Sequence, residues 1–216
     1  MFEYHAPVRF YLGANTPVGF VGYLDDLYDA AEGWQAYIIK SGPGTGKSSL
    51  MRTVMNTMSE LGQEPEAIYC SSDPRSLDGV LFPQLKIGIM DGTAPHVIEP
   101  RYWGAVEQIV NLSECMDGEQ LHKQHAAIIA ATDACSAMHV RCRKFIGAAA
   151  SLLGDSARIL QEFTDEEKVA RTAARIAARE FGCHGGGAGK ERRRFLSAVT
   201  PEGIVTFHET IQPLRP

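Results

Sequence analysis

An apolar run, three closely spaced glycines and a Lys-Ser pair follow one another early in the chain. Gly42, Gly44 and Gly46 lack a Cβ, so the backbone can adopt positive φ angles and turn several N–H groups inward. Lys47 would set a cation beside the outer phosphates of a bound nucleotide, and the Ser48 hydroxyl would ligate Mg²⁺. The stretch therefore predicts a phosphate cradle at the start of a helix.

The spacing fits the P-loop pattern G-x-x-x-x-G-K-[ST], with Ser41 standing where the pattern has its first glycine. A glycine-rich β-turn is the alternative interpretation, and the apolar strand before the loop and the helical pattern after it favour the P-loop. ATP and Mg²⁺ are the predicted cofactors. The predicted nucleotide-binding residues are Gly42, Pro43, Gly44, Thr45, Gly46, Lys47, Ser48 and Ser49.

Acidic residues after later strands supply the remaining site candidates. Asp91 follows an apolar strand predicted at 85–90, where a carboxylate would hold the Mg²⁺ shell together with Ser48, although an Asp-Gly turn would look the same. Lys47, Asp91 and Asp73 form the predicted catalytic set. Asp73 is preferred as the base because it ends a strand, with a helix-capping role equally open. Asp78, His96 and Glu99 are the other candidates for the base.

Composition excludes several classes of protein. The 216 residues are 44% hydrophobic, which is enough for a packed core. The net charge of −5 argues against a nucleic-acid partner, and no apolar run approaches the roughly 20 residues of a membrane span. Five cysteines without a C-x-x-C pair, and no cleavable signal sequence, predict a reduced, cytoplasmic protein.

The glycine-rich motif and the hydrophobic periodicity together predict an α/β fold, a P-loop NTPase with a parallel sheet core and a long α-helical hairpin insertion. Strands are expected at 8–12, 36–40, 66–71 and 85–90, and helices at 20–31 and 47–61. Residues 194–199 are expected to complete the sheet. The alternation of strands and helices places function at the carboxyl ends of the strands.

Composition shifts divide the chain into four parts. A nucleotide-binding core is predicted at 1–115, an alanine-rich helical hairpin broken near Gly154 at 116–182, a Gly-rich basic linker at 183–192, and a last strand with the start of a second repeat at 193–216. The alanine-rich faces allow two helices to approach closely. The predicted hairpin is therefore interpreted as a lid, an insertion or a dimerisation arm. A basic stripe on the second helix is interpreted as a solvated face rather than an arginine finger: Arg171, Arg175 and Arg179.

Residues 193–211 repeat residues 9–27 at a constant offset of 184 (193 minus 9). The clearest match is Thr200-Pro201-x-Gly203 with Thr16-Pro17-x-Gly19, and aromatic or aliphatic positions outside it also coincide. At this offset a second phosphate-binding loop would begin beyond Pro216. The chain is therefore expected to be the first module of a tandem duplication together with the start of the second.

Several segments resemble an uncharacterised bacterial family of tandem P-loop ATPases that are sometimes labelled nucleotide kinases. The matching segments are SGPGTGKSSLMR, YCSSDPRSLDGV, MDGTAPHVIEP, WGAVEQIVNL and RFLSAVTPEGIV. The resemblance implies an ATP-binding fold, phosphate and Mg²⁺ roles for Lys47 and Ser48, and the acidic strand-end role for Asp91. It also implies a second P-loop module. The expected partners are therefore a nucleoside triphosphate and either that second module or another copy of the chain in a homo-oligomer.

The leading hypothesis is an ATPase that couples hydrolysis of Mg²⁺-bound ATP to movement of the helical region. Phosphoryl transfer asks a protein mainly for positioning and charge neutralisation, which the predicted site provides. One alternative is a nucleotide or small-molecule kinase with its acceptor over residues 73–79. Another is a non-catalytic module in which the nucleotide acts only as a switch.

Overall fold

A computed structural model describes residues 8–94, 97–180 and 190–211. The helices are α1 (Lys47–Glu60), α2 (Gly118–Lys123), α3 (His125–Glu162) and α4 (Glu166–Glu180). The strands are β1 (Val8–Tyr11), β2 (Gly13–Thr16), β3 (Gly19–Gly22), β4 (Gln35–Lys40), β5 (Glu66–Tyr69), β6 (Leu77–Phe82), β7 (Ile87–Asp91), β8 (Glu107–Asn111), β9 (Ser197–Thr200) and β10 (Gly203–Thr206).

The core is a six-stranded sheet in the order β1-β5-β6-β7-β4-β8. Every neighbouring pair is parallel except the two that involve β6, which runs against β5 and β7. Successive residues of a strand face opposite sides of a sheet. Ile39 accordingly joins the core under Met51 and Met55 of α1, whereas Ile38 joins the core on the other face. The prediction of an α/β fold with a mostly parallel sheet is confirmed.

Two strands of the sheet, β6 and β8, were not predicted. In β6 the pair Asp78-Gly79 has the composition of a turn, yet every residue of this strand is buried. A Cβ on Gly79 would lie 2.9 Å from the Ile68 side chain and 3.1 Å from the Ile89 carbonyl oxygen. Gly79 is therefore a position of close packing inside the sheet rather than a turn. The residues next to it in the sequence do not show this.

The helix predicted at 20–31 is wrong. Residues 19–22 form β3, which pairs with β2 in a hairpin, and short 3₁₀ turns follow at Leu24–Asp26 and Ala30–Glu32. Gly19 has a φ of 120°, which suits the reversal after Pro17. The Phe20 ring covers the place that a side chain on Gly13 would fill. This contact across the hairpin outweighs the helical spacing of the apolar residues.

The hairpin β9–β10 has the same structure as the hairpin β2–β3 at the sequence offset of 184. The Thr16 hydroxyl donates to the Gly19 carbonyl at 2.7 Å, and the Thr200 hydroxyl donates to the Gly203 carbonyl at 2.9 Å. A 3₁₀ turn follows each hairpin, at Leu24–Asp26 and at His208–Ile211. We call residues 8–27 unit 1 and residues 192–211 unit 2.

Units 1 and 2 pack against each other reciprocally. Tyr11 stacks on Phe207 with ring centroids 4.8 Å apart, and the equivalent pair with the roles exchanged, Tyr23 and Phe195, stacks at 4.9 Å. The Arg9 guanidinium lies over Phe207, and its counterpart Arg193 lies over Tyr23. Such exchanged contacts are the pattern of an interface related by a two-fold axis.

The expectation that residues 194–199 complete the main sheet is wrong. In unit 2, β9 pairs with β10 in a sheet of its own, and a single backbone bridge from Phe195 to Tyr11 reaches β1. The hairpin forms because the Thr200-Pro201-x-Gly203 turn reverses the chain, with Gly203 at a φ of 103°. The edge strand β1 is therefore covered by the packing of the two units.

Basic residues at the end of the predicted linker and directly after it, within 190–194, form ion pairs with unit 1 and the turn after it. Lys190 contacts Asp29 and Glu32, Arg192 contacts Glu32, and Arg193 contacts Asp26. Each of these positive charges is thus neutralised by the same chain. The rest of the predicted linker, residues 183–189, lies outside the described residues.

The helical region differs from the predicted hairpin. α3 continues through Gly154 to Glu162, because a glycine inside a helix costs only about 1 kcal/mol relative to alanine. The chain instead turns at residues 163–165, where the Asp165 carboxylate accepts a hydrogen bond from the Lys168 amide at 2.9 Å and caps α4. α3 lies against β2 and α2 rather than along α4. No described helix is both long and apolar enough to cross a bilayer.

Candidate functional site

The predicted site lies where β4 ends and α1 begins, in the glycine-rich loop of residues 41–46. Gly44 and Gly46 have φ angles of 74° and 88°, a region that glycine enters without steric penalty. Gly46 precedes α1 and no side chain caps the helix. The Thr45 hydroxyl donates to the Gly42 carbonyl oxygen at 2.8 Å, which holds the loop in a tight turn. The loop therefore presents the start of α1 without a competing side-chain acceptor.

Lys47 is buried and folds back over this loop. Its ammonium donates to the Gly42 carbonyl oxygen at 2.7 Å and to the Ser41 carbonyl oxygen at 3.2 Å. It also lies 3.6 Å from the Asp91 carboxylate oxygen Oδ2. A buried ammonium is stable only with such partners, because desolvation of an unpaired charge is very costly.

Asp91 is the last residue of β7, opposite Ile39 of the adjacent strand β4. Its carboxylate oxygen Oδ1 accepts hydrogen bonds from the Thr93 amide at 2.9 Å and from the Thr93 hydroxyl at 2.5 Å. The other oxygen, Oδ2, is the one that faces Lys47. The two bonds from Thr93 therefore fix one oxygen of Asp91 in place. The side chain is 15% exposed, so the carboxylate still reaches the cleft.

The Ser48 hydroxyl oxygen accepts a hydrogen bond from the Leu77 amide at 2.9 Å. This bond joins the start of α1 to the start of β6. Nearby, the Arg52 guanidinium donates to the Arg75 carbonyl oxygen, so α1 also holds the segment before β6. Neither contact can be found from sequence, because each depends on β6 lying beside α1.

Asp73 and Asp78 both border the cleft but differ in burial. Asp73 has a side chain that is 55% exposed, and its carboxylate accepts from the Arg75 amide within its own turn. Asp78 is only 5% exposed, on β6. Its carboxylate lies beside the Cys70 thiol, and burial, followed by this negative charge, raises the pKa of Cys70 from 9.0 to about 12.

The other two candidate bases do not strengthen the site. Glu99 accepts a hydrogen bond from the Lys40 ammonium at 2.6 Å and does not line the cleft. His96 lies outside the described residues.

A cleft of about 710 Å³ collects these groups at the carboxyl ends of β4 and β7. Its lining brings together most of the predicted residues: Pro43, Gly44, Thr45, Gly46, Lys47, Ser48, Ser49, Asp73 and Asp91. The structure adds Ser41, whereas the predicted Gly42 is not in the lining. Sequence reasoning did not identify Cys70, Thr93 and Thr132, and it left Asp78 unranked. Thr132 belongs to α3, so the helical region reaches the cleft.

Among the described residues, no group of three or more His, Cys, Asp or Glu side chains is arranged to hold a metal. Mg²⁺ in phosphate-binding sites commonly takes only one or two protein ligands, the remainder being phosphate oxygens and water. Ser48 and Asp91 match that smaller set. Ser48 follows Lys47 at the start of α1, Asp91 lies 3.6 Å from the Lys47 ammonium, and both line the cleft.

Comparison with models of known protein families, with curated proteins and with solved structures finds no match to this chain. The function is therefore inferred from the geometry of the cleft alone.

Proposed function

We propose that the chain is a P-loop ATPase that binds ATP with Mg²⁺ at residues 42–49 and hydrolyses it. One observation carries the proposal: the buried Lys47 ammonium lies over a glycine-rich loop and 3.6 Å from Asp91, at the carboxyl ends of adjacent parallel strands. A lysine, an acid and unpaired helix amides at one such edge are the parts that phosphoryl transfer uses.

The loop residues fit a chain of phosphates. Nothing lies within 4 Å of where a Cβ would stand on Gly44 or Gly46, so the backbone is open to a close anion. Lys47 would exchange its loop carbonyl partners for phosphate oxygens, and Ser48 and Asp91 would hold Mg²⁺. The metal ion would supply charge neutralisation of the phosphates.

Turnover is expected to be slow for the chain alone. Among the described residues that line the cleft, Lys47 is the one cation, and an added arginine accelerates such reactions by several orders of magnitude. Asp78 and Asp73 are the residues proposed to orient the attacking water. Because Thr132 borders the cleft, occupation of the cleft would act on α3, which supplies the proposed coupling to the helical region.

Titration calorimetry with Mg²⁺ and ATP, together with a phosphate-release assay, tests the proposal. We expect saturable binding by the chain and none by Lys47→Ala. Lys40→Ala is the matched control: Lys40 ends β4, the strand before the loop, and its ammonium bonds to Gly92, Ile98 and Glu99, none of which lines the cleft. That variant should lose stability and keep binding. Absence of heat with ATP, GTP or their diphosphates on folded protein would overturn the proposal.

The same assays distinguish the alternatives. Phosphate release without an added acceptor supports the ATPase. Transfer of the phosphoryl group to an added nucleotide or small molecule would favour a kinase, and tight binding without turnover would favour a nucleotide-sensing module. Membership of the tandem P-loop family, and a second P-loop module as partner, stay predictions.

A further inference from the structure

α3 carries a seam of uncharged residues at alternating intervals of three and four. The seam consists of Ala131, Cys135, Met138, Cys142, Phe145, Ala149, Leu152, Ser156 and Ile159, and Phe163, the residue directly after α3, continues the spacing. A mean spacing of 3.5 residues sustained over this length is the pattern of a helix that packs along another helix in a coiled coil.

The seam faces solvent in the single chain. Phe145, Leu152 and Phe163 are 64%, 73% and 82% exposed. The half-buried residues Ile146, Gly147 and Ala150 lie on another face of α3, and α3 as a whole packs against β2. The body of the protein therefore contacts another face of α3 and leaves the seam open.

α4 is too short to cover the seam. It has 15 residues, which span about 22 Å, whereas the 38 residues of α3 span about 57 Å. An α4 folded back on α3 would leave the part of the seam from Ala131 to Phe145 exposed.

We propose that the seam binds the seam of a second copy of this chain, in antiparallel orientation about a two-fold axis near Gly147. With Phe145 against Ala149 of the other copy, each further layer also joins a large side chain to a small one. The layers are Phe163 with Ala131, Ile159 with Cys135, Met138 with Ser156, and Leu152 with Cys142. Such alternation fills the space between two helices without overlap.

Charge favours the same alignment. Arg141 and Asp155 flank the seam at equivalent positions, one residue before Cys142 and one before Ser156. In the antiparallel register each Arg141 faces Asp155 of the other copy. Both side chains are exposed, and the intrahelical bond of Asp155 to Arg158 leaves its carboxylate able to accept a second partner. A parallel pair would set Arg141 against Ile146 and provide no such ion pair.

The oligomeric state tests this inference independently of nucleotide binding. Light scattering on the full chain should give a mass of twice 23.6 kDa at high protein concentration, and this mass should fall towards that of the monomer on dilution. Phe145→Asp and Leu152→Asp should give monomers, because each places a charge in the seam. Val140→Asp is the matched control, since Val140 is 47% exposed on the same helix but off the seam. A monomeric mass at all protein concentrations would overturn the proposal.

Two further variants test the orientation. Arg141→Asp should raise the dissociation constant of the dimer about tenfold or more, and adding Asp155→Arg should restore it. Under oxidation, Leu152→Cys should cross-link to Cys142 of the other copy. The unsubstituted chain should not cross-link through Cys142. A Cys142–Cys142 disulfide in the unsubstituted chain, or no restoration by the charge exchange, would contradict the antiparallel arrangement.

Discussion

Lys47 and Asp91 form an ion pair in which the carboxylate is fixed more firmly than the ammonium. The Thr93 amide and hydroxyl fix one oxygen of Asp91, whereas the Lys47 ammonium is shared between that carboxylate and the Ser41 and Gly42 carbonyl oxygens. The lysine can therefore change partners while the acid stays in place. This division suits an acid that holds a cation and a lysine that follows the phosphates.

Asp91→Asn should weaken binding of ATP in the presence of Mg²⁺ by about tenfold, because the amide cannot neutralise the metal ion. Binding measured in EDTA should change much less. Calorimetry with and without the metal makes the comparison, and Asp73→Asn is the control because Asp73 is exposed at the rim. Equal losses in the two conditions would show that Asp91 supports the fold rather than the metal.

Cys70 should resist alkylation in the folded protein. Its thiol has a pKa raised from 9.0 to about 12, first by burial and then by Asp78, so the reactive thiolate is scarce at about pH 9. Exposed Cys115 should react readily, and Cys70 only after denaturation, as followed by mass spectrometry of iodoacetamide-treated peptides. Asp78→Asn should speed labelling of Cys70. Equal labelling of Cys70 and Cys115 in the folded chain would contradict the burial.

One short turn-and-hairpin unit occurs twice in the chain. The reciprocal stacking of Tyr11 on Phe207 and of Tyr23 on Phe195 joins the two copies through apolar contact. The paired units also cover the edge strand β1, which would otherwise expose unpaired backbone groups.

Phe207→Ala should destabilise the protein by about 3 kcal/mol, because Phe207 is buried against Tyr11 and Tyr69. Phe195→Ala, at the equivalent but half-buried position of the repeat, should cost roughly half as much. Urea denaturation of both variants measures the difference. Similar small losses for both would mean that unit 2 does not pack stably on unit 1.

The basic segment 190–194 joins distant parts of the chain through ion pairs. Arg193 bonds to Asp26 and lowers the pKa of that carboxyl, and Lys190 does the same for Asp29 and Glu32. These bonds bridge more than 150 residues of sequence. The segment is consequently part of the fold rather than a free basic patch.

The melting temperature should fall as the pH is lowered below about 4. A carboxyl whose pKa is lowered by folding stabilises the folded state at pH values above its ordinary pKa, which is 3.8 for Asp and 4.5 for Glu. This contribution is lost as the pH falls and the carboxyl becomes protonated. The variant Lys190→Ala/Arg193→Ala should show a shallower decline between about pH 5 and 3, and so should the unsubstituted chain in high salt. Identical pH profiles for the variant and the unsubstituted chain would show that these pairs do not contribute to stability.

The sequence alone determined those features that depend on neighbouring residues. The strand, the glycine loop and the helix around Lys47 were predictable because glycine conformation, helix periodicity and helix ends obey local rules. The Gly62 that follows α1, with its φ of 82°, obeys the same rules. The repeat of residues 9–27 was likewise visible in residue types alone.

Tertiary structure decided what depends on distant segments. The order of the strands brought Asp91 to Lys47 and put β6, with the buried Asp78, at the cleft, although Asp78-Gly79 has the composition of a turn. Packing across a hairpin overrode the helical spacing at residues 20–31. Along the α3 seam, no element within residues 8–94, 97–180 and 190–211 buries Phe145 or Leu152, which are exposed. Burial and strand order are set by contacts between residues far apart in the chain, which local patterns do not encode.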